Sequence, residues 1–238
     1  MSGVIGAVSN KFILVAAALL LPLRVGPDRV HGAIDPSAPI STMSPQLAAR
    51  LHLGDAAAPD GSSTVKLRRP LTIGIGAENF DVDTIGVGRL PSMKGQDLVI
   101  GRDILAAHVF AIDVAHRTIQ LLLPSEYRGA TQHLQAIHLF ERADGSLGLA
   151  LSVGNAPVMD ASLDLVSSVP VKIDQAFITA NHLGGRGLVR SDDAVLGPLN
   201  IVADNGEHRL ATAVVGIGAF SRSRIILDLP HHLIWMPR

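Results

Sequence analysis

The sequence predicts an all-β protein of two tandem, similar lobes, each with one short helix. Three observations carry that expectation: a long internal repeat, short β-branched runs broken by glycine and proline, and an apolar-apolar-glycine strand in each half. The first copy of the repeat runs from Val30 to Gly54, the second from Val158 to Gly184. In each, an apolar residue leads into an aspartate (Ile34-Asp35, Leu163-Asp164). A small residue follows three positions on (Ala38, Ser167), and a helical segment closes on His-Leu-Gly. Further downstream, Val99-Ile100-Gly101 precedes Asp113 as Val214-Val215-Gly216 precedes Asp228, with the same spacing.

Composition narrows the function classes. Apolar residues make up 47% of the 238 and charged residues 17%, with 23 Gly and 14 Pro, which fits a compact, turn-rich chain and not a disordered one. A net charge of -1, no basic stripe in the sequence and few aromatics argue against nucleic acid as a partner. The absence of Cys removes thiol chemistry and disulfides.

Taken in order, residues 1–18 are expected to be a leader or an extra strand without a counterpart in the second half. Lys11 followed by an apolar run to Leu21, with Ala16-Ala17-Ala18 as a cleavage site, has the outline of an export signal, periplasmic export being the implied destination. The run is too short for a stable membrane span. Residues 19–123 form the N-terminal lobe, 124–133 the linker, and 134–238 the C-terminal lobe.

The strand ending at Ile34 delivers Asp35. Ser44-Pro45 then opens a helix to about Leu53, with Ser44 as cap, Leu47, Ala48 and Leu51 on its buried face, and Gly54 as the left-handed stop. The second copy substitutes Asp174 as cap and Gly184 as stop for a helix over Gln175 to His182. Ala56 to Ser63 and Gly185 to Asp193 are candidate lids. Leu71–Ile75 with Phe80–Ile85, and Leu199–Ala203 with His208–Val214, read as hairpins, the latter turning at Asp204-Asn205-Gly206. Gly86 to Gln96 reads as a surface-loop insertion. Two closing strands end each half, Val109–Val114 with Thr118–Leu122 and Arg224–Leu229 with Leu233–Met236. Asp113 and Asp228 lie in these strands and are expected to serve turns or ladder edges.

The paired aspartates and the downstream glycine strands resemble the aspartic proteases of the pepsin and retropepsin type, and more closely the bacterial retropepsin-like proteins with both lobes on one chain. The likeness spans about residues 19–238. It implies the bilobed acid protease fold, Asp35 and Asp164 as catalytic residues, and Ser37, Ala38, Ser167, Gly101 and Gly216 as loop support. It also implies aspartic-type endopeptidase activity on a polypeptide, with no cofactor or metal and a monomer with pseudo-two-fold lobes. The motif departs from the family's Asp-Thr/Ser-Gly at Pro36 and Leu165, and again at Ser37 and Val166. Loop-locking hydroxyls are therefore expected to be missing, and the β-branched Val166 is expected to disturb its turn. From these departures comes the alternative, an inactive relative that binds peptide or a partner in the same cleft.

The chemistry explains why two such aspartates matter. Two carboxylates held close cannot both ionise easily, so one acts as base on a water and the other as acid towards the oxyanion. His231-His232 makes a poor metal site, since adjacent strand residues face opposite ways. Gly184-Gly185-Arg186-Gly187 lacks the Lys-Ser/Thr of a phosphate loop, and no serine sits in a G-x-S-x-G frame.

Overall fold

The computed structural model describes residues 10–11, 13–15, 18–53, 63–75, 78–90, 96–204 and 212–238. Each half forms a seven-stranded sheet with the same strand order. In the first half the order is Ile13–Val15, Ala18–Val25, Asp28–Ile34, Leu98–Ile100, Thr42–Met43, Glu78–Val87 and Ser63–Ile75. In the second it is Phe140–Glu141, Leu147–Val153, Ala156–Asp164, Ala213–Gly216, Val171–Asp174, Ala194–Asp204 and Arg186–Ser191. One further pairing, Ala18–Val25 with Ser63–Ile75 and Leu147–Val153 with Arg186–Ser191, closes each sheet on itself. The alternation of buried Leu21, Leu23 and Val25, or of Leu149, Leu151 and Val153, turns one face of each sheet to the core.

A third, six-stranded sheet joins the halves, in the order Asn10–Lys11, Thr118–Leu121, Val109–Asp113, Arg224–Asp228, Leu233–Pro237 and Leu134–His138. Its two central strands are antiparallel, and Ala111 pairs with Ile226. These two residues are equivalent in the repeat, each ten positions beyond its supporting glycine, so an approximate two-fold axis passes between them. The same symmetry gives Asn10–Lys11 and Ile13–Val15 counterparts in the second half. Asn10–Lys11 pairs with Thr118–Ile119 as Ile137–His138 pairs with Leu233–Ile234, and Ile13–Val15 occupies the place of Phe140–Glu141.

The helices follow the local signals at their starts. Ser44 Oγ accepts from Leu47 N at 3.1 Å, ahead of Pro45–Arg50. Asp174 accepts from Ala176 N and Phe177 N at 2.8 and 3.1 Å, ahead of Gln175–Ala180. The stops differ from expectation. His52 (φ 54°) and His182 (φ 51°) take the left-handed conformation, which Gly184 does not, and Gly54 lies outside the described residues. Each half also has a short helical turn after its supporting glycine, Arg102–Leu105 and Ile217–Phe220, and the linker is a helix, Pro124–Thr131.

The expected hairpin at Asp204-Asn205-Gly206 does not form as such. Val171–Asp174 lies between Ala194–Asp204 and Ala213–Gly216 and pairs with both, so those two strands are not neighbours; residues 205–211 lie outside the described residues. Gly185 to Asp193 is not a loop lid: Arg186–Ser191 is a sheet strand ending in a tight turn with Asp192 at φ 49°. The other candidate lid, Ala56 to Ser63, falls outside the described residues except Ser63, which begins a strand. Of the predicted insertion, Gly86 and Val87 belong to the strand Glu78–Val87, and residues 91–95 lie outside the described residues.

Candidate active site where the two halves meet

Each aspartate stands at the end of a strand that runs parallel to the apolar-apolar-glycine strand. Ile34 pairs with Ile100, and Leu163 and Asp164 pair with Val215 and Gly216. Beyond the strand the chain turns tightly, with Ala38 N donating to Asp35 O at 3.1 Å and Ser167 N to Asp164 O at 3.2 Å. Below each turn the glycine lets the backbones come together. A Cβ on Gly101 would sit 2.6 Å from Ile40 C and 2.8 Å from Ala38 O, and one on Gly216 would sit 2.3 Å from Val169 O and 2.4 Å from Ser167 O. The next amide fastens the loop, Arg102 N to Ala38 O and Ile217 N to Ser167 O, both at 2.8 Å.

The two loops touch. Ser37 Oγ donates to the carbonyl of Leu163, the residue immediately before Asp164, so a side chain of one half holds the aspartate-bearing turn of the other. This corrects the expectation that the locking hydroxyls are missing. One is present, displaced by one position along the motif. Pro36 and Leu165, which stand where the hydroxyl was sought, are buried, Leu165 at 0% exposure. Nor does Val166 distort its turn: neither it nor Ser37 has a positive φ, and Val166 N donates to Asp164 Oδ1 at 2.9 Å.

The two carboxyls are electrostatically coupled, and their surroundings differ. Burial pushes Asp35 from its ordinary 3.8 up to about 6; the Asp164 charge adds to this, and the amides of Ser37 and Ala38 oppose it. Ser37 N lies 2.9 Å from Asp35 Oδ1. Asp164 Oδ1 accepts from two amides, Val166 N at 2.9 Å and Ser167 N at 3.1 Å. The amides hold each carboxyl within its own turn, while burial and the Asp164 charge keep the proton on Asp35 into mildly acidic solution.

Several supporting residues have no mark in the motif. Ser41 Oγ accepts from Gly101 N at 2.9 Å and donates to Asp103 Oδ1 at 2.7 Å, and Asp103 also takes Ser41 N and Ile104 N. In the second half Pro170 and Gly218 occupy these places, and backbone packing replaces the side-chain strut: a Cβ on Gly218 would lie 2.0 Å from Ser168 O. Arg102 reaches across to the second half, where it donates to the carbonyl of Gly145 and, at 3.3 Å, to Glu141. The only available signal was the charged pair Arg102-Asp103 directly after Val-Ile-Gly, where the second half has Ile217-Gly218.

Asp113 and Asp228 lie at turns, as expected. Asp113 accepts from His116 N and Nδ1, both at 2.9 Å. Asp228 does more: fully buried, it accepts from His231 Nδ1 at 2.8 Å, from Trp235 Nε1 at 3.4 Å and from the hydroxyl of Tyr127 on the linker helix. Burial and the Asp228 bond push the Tyr127 hydroxyl up to about 12. Among the described residues no helix is long and apolar enough to cross a membrane.

The architecture is that of the pepsin-like aspartic proteinases, bilobed and mostly β. Among solved structures, the aspartic proteinase of Irpex lacteus superposes with a TM-score of 0.61 at 10% identity, covering 98% of this chain and 97% of that one. Conglutin gamma, a basic 7S globulin of lupine seeds, gives 0.63 at 10% identity, with 97% and 94% covered. Basic 7S globulin from soybean gives 0.59 at 8% identity, again with 97% and 94% covered. Likeness at such identities defines the fold alone. No protein-family model and no curated protein sequence matches the chain.

Proposed function

We propose that the chain is an aspartic-type endopeptidase of the retropepsin-like kind with both lobes on one chain, hydrolysing an extended polypeptide at the junction of the halves. The observation that carries this reading is the coupled pair: Asp35 and Asp164 end equivalent strands, their loops touch through Ser37, and Asp35 is held protonated up to about 6 with the Asp164 charge as a contributing cause. In the proposed reaction Asp164, held by the amides of Val166 and Ser167, takes a proton from the attacking water, and protonated Asp35 gives one to the oxyanion as it forms. Ser37, Ala38, Ser167, Gly101 and Gly216 act by holding the two carboxyls in place. Both carboxylates come from one chain, so a monomer suffices. Cleavage falls as pH rises through about 6, where Asp35 loses its proton.

The test is cleavage of a mixed peptide library at pH 4 to 6 by the parent chain, Asp35→Asn and Asp164→Asn. Loss of cleavage in both folded variants, with no effect of chelators, supports the reading. Cleavage that persists in the double variant, or that chelators stop, overturns it. The second reading, a peptide-binding protein without catalysis, is favoured by one observation: Leu165 buries an apolar side chain where the family places a hydroxyl. Retained peptide binding without turnover by the parent chain would select it.

A further inference from the structure

The strand Ser63–Ile75 is the last in the first seven-stranded sheet, and its outer edge is covered only at one end. It pairs with Ala18–Val25 from Ile73 to Ile75, and Thr72 O accepts from Gly26 N at 3.1 Å. From Ser63 to Leu71 that edge has no strand partner among the described residues. The inner edge is interrupted too. Lys66 pairs with Thr84 and Leu71 with Val82, so residues 67–70 stand opposite Asp83 alone, and the ladder to Glu78–Val87 is broken across them. Unpaired backbone donors and acceptors on an extended segment are what an added strand binds.

The side chains along this edge narrow the kind of strand. Lys66, Arg68 and Arg69 are exposed, and none of the three makes an ion pair or side-chain hydrogen bond among the described residues. Exposed Asp83 is the acid opposite them, leaving an excess of positive charge in a chain whose net charge is -1. Beside them lies a groove of about 540 Å³, to which His52, Leu53, Val65 and Leu67 add an imidazole and half-buried apolar surface. Among the described residues no Phe, Tyr or Trp lines it on which a nucleobase would stack. The mixture of cations, aliphatic floor and open strand edge fits an extended peptide in which acidic and aliphatic residues alternate, since alternate side chains of a strand face opposite ways.

We propose that the edge Ser63–Leu71 is a docking site for an acidic polypeptide segment, bound by strand addition with Lys66, Arg68 and Arg69 pairing its carboxylates. The proposal stands whether or not the chain cleaves peptides. Cations on a strand edge also discourage pairing between copies of a protein. That role alone predicts no peptide affinity.

The experiment is fluorescence anisotropy with the full chain carrying Asp35→Asn, so that turnover cannot consume the probe. The probe is a fluorescein-labelled nonapeptide of alternating Glu with Val or Leu. Its counterpart with Lys for Glu, and a version N-methylated at every second residue, serve as comparisons. Expected are saturable binding of the acidic peptide, none of the Lys peptide, and at least a tenfold loss on N-methylation. A tenfold loss or more is also expected in the variant Lys66→Gln, Arg68→Gln, Arg69→Gln. Should that variant fail to fold by circular dichroism, Arg69→Gln alone is expected to weaken binding about threefold, the share of one screened charge pair. Absence of binding, binding unchanged by these variants, or equal binding of the N-methylated peptide would overturn the proposal. Inorganic polyphosphate binding the parent at tenfold lower concentration than the peptide would overturn it as well, by assigning the patch to bare anions.

Discussion

Replacing Asp35 by asparagine should make the protein more stable, and the gain should depend on pH in a defined way. In the unfolded chain Asp35 ionises near 3.8; in the folded protein burial and the Asp164 charge hold the proton to about 6. Between these values the folded state binds more protons than the unfolded state. The favourable contribution of this group is therefore complete below about 3.8 and is lost as pH rises through about 6. At about 1.4 kcal/mol per pH unit, that interval corresponds to roughly 3 kcal/mol of stability forgone at neutral pH. Asparagine resembles the protonated acid and does not titrate. Urea unfolding of parent and Asp35→Asn from pH 4 to 8 should give curves that nearly coincide at pH 4 and separate by roughly 2 to 3 kcal/mol at pH 7 and above. Titrating groups remote from the pair are common to both proteins and cancel in the difference. In an Asp164→Asn background the separation should shrink, because the second-largest cause of the shift is gone. A separation that is constant across pH, or that favours the parent at pH 7, would refute the assignment of a raised Asp35 and with it the acid role proposed for that residue.

Three further substitutions test the framework around the site. Gly216→Ala would place a methyl 2.3 Å from the Val169 carbonyl and should cost up to about 3 kcal/mol, whereas Gly129→Ala, exposed in the linker helix with nothing within 4 Å, should gain up to about 1 kcal/mol in the same urea assay. Tyr127→Phe removes a donor from fully buried Asp228 and should cost about 1 to 3 kcal/mol while leaving any peptide cleavage per folded molecule unchanged, which a joint measurement of unfolding and turnover would check.

What the sequence disclosed, and what it hid, divides by the range of the interactions concerned. Ser44 and Asp174 announce their helices because a cap acts over three residues, and the repeat frames Asp35, Asp164, Gly101 and Gly216 because each pair does the same task in its own half. The helix stops were misplaced because the left-handed conformation favours glycine without excluding histidine, and His52 and His182 take it first. Asp204-Asn205-Gly206 carries a local hairpin signal, but the ladder is decided by Val171–Asp174, some thirty residues upstream, which inserts between the two strands. The counterparts of Asn10–Lys11 and Ile13–Val15 are invisible for a similar reason. Two-residue and three-residue strands have no periodicity to read, and only the six-stranded sheet shared by both halves reveals the match. Arg102 and Tyr127 act across the junction or from the linker, so nothing within a single repeat could point to them.

The junction is asymmetric, and that asymmetry can be tested. Ser37 and Val166 occupy the same place in the repeat, two residues after their aspartates, but only Ser37 has a side chain that can donate, and it does so to the carbonyl of Leu163. The two-fold relation carries this bond onto position 166 and the carbonyl of Ile34, the residue before Asp35. Val166→Ser should therefore supply the second half of the lock. Leu165→Thr, the change that restores the family's motif, should not, because Leu165 is fully buried and would exchange about 1.5 to 3 kcal/mol of apolar burial for a buried hydroxyl. In the parent, Ser37→Ala leaves the loops without a side-chain bond between them and should cost about 1 kcal/mol. In the Val166→Ser background the reciprocal bond remains, so the same change should cost less in stability and in any cleavage rate. A double-mutant cycle over positions 37 and 166 measures that difference directly, with a coupling of about 0.5 kcal/mol or more expected for groups at one contact. Equal costs of Ser37→Ala in the two backgrounds would mean that serine at 166 does not reach Ile34, and that the two-fold symmetry of the strands does not extend to the tips of the loops that carry the carboxylates.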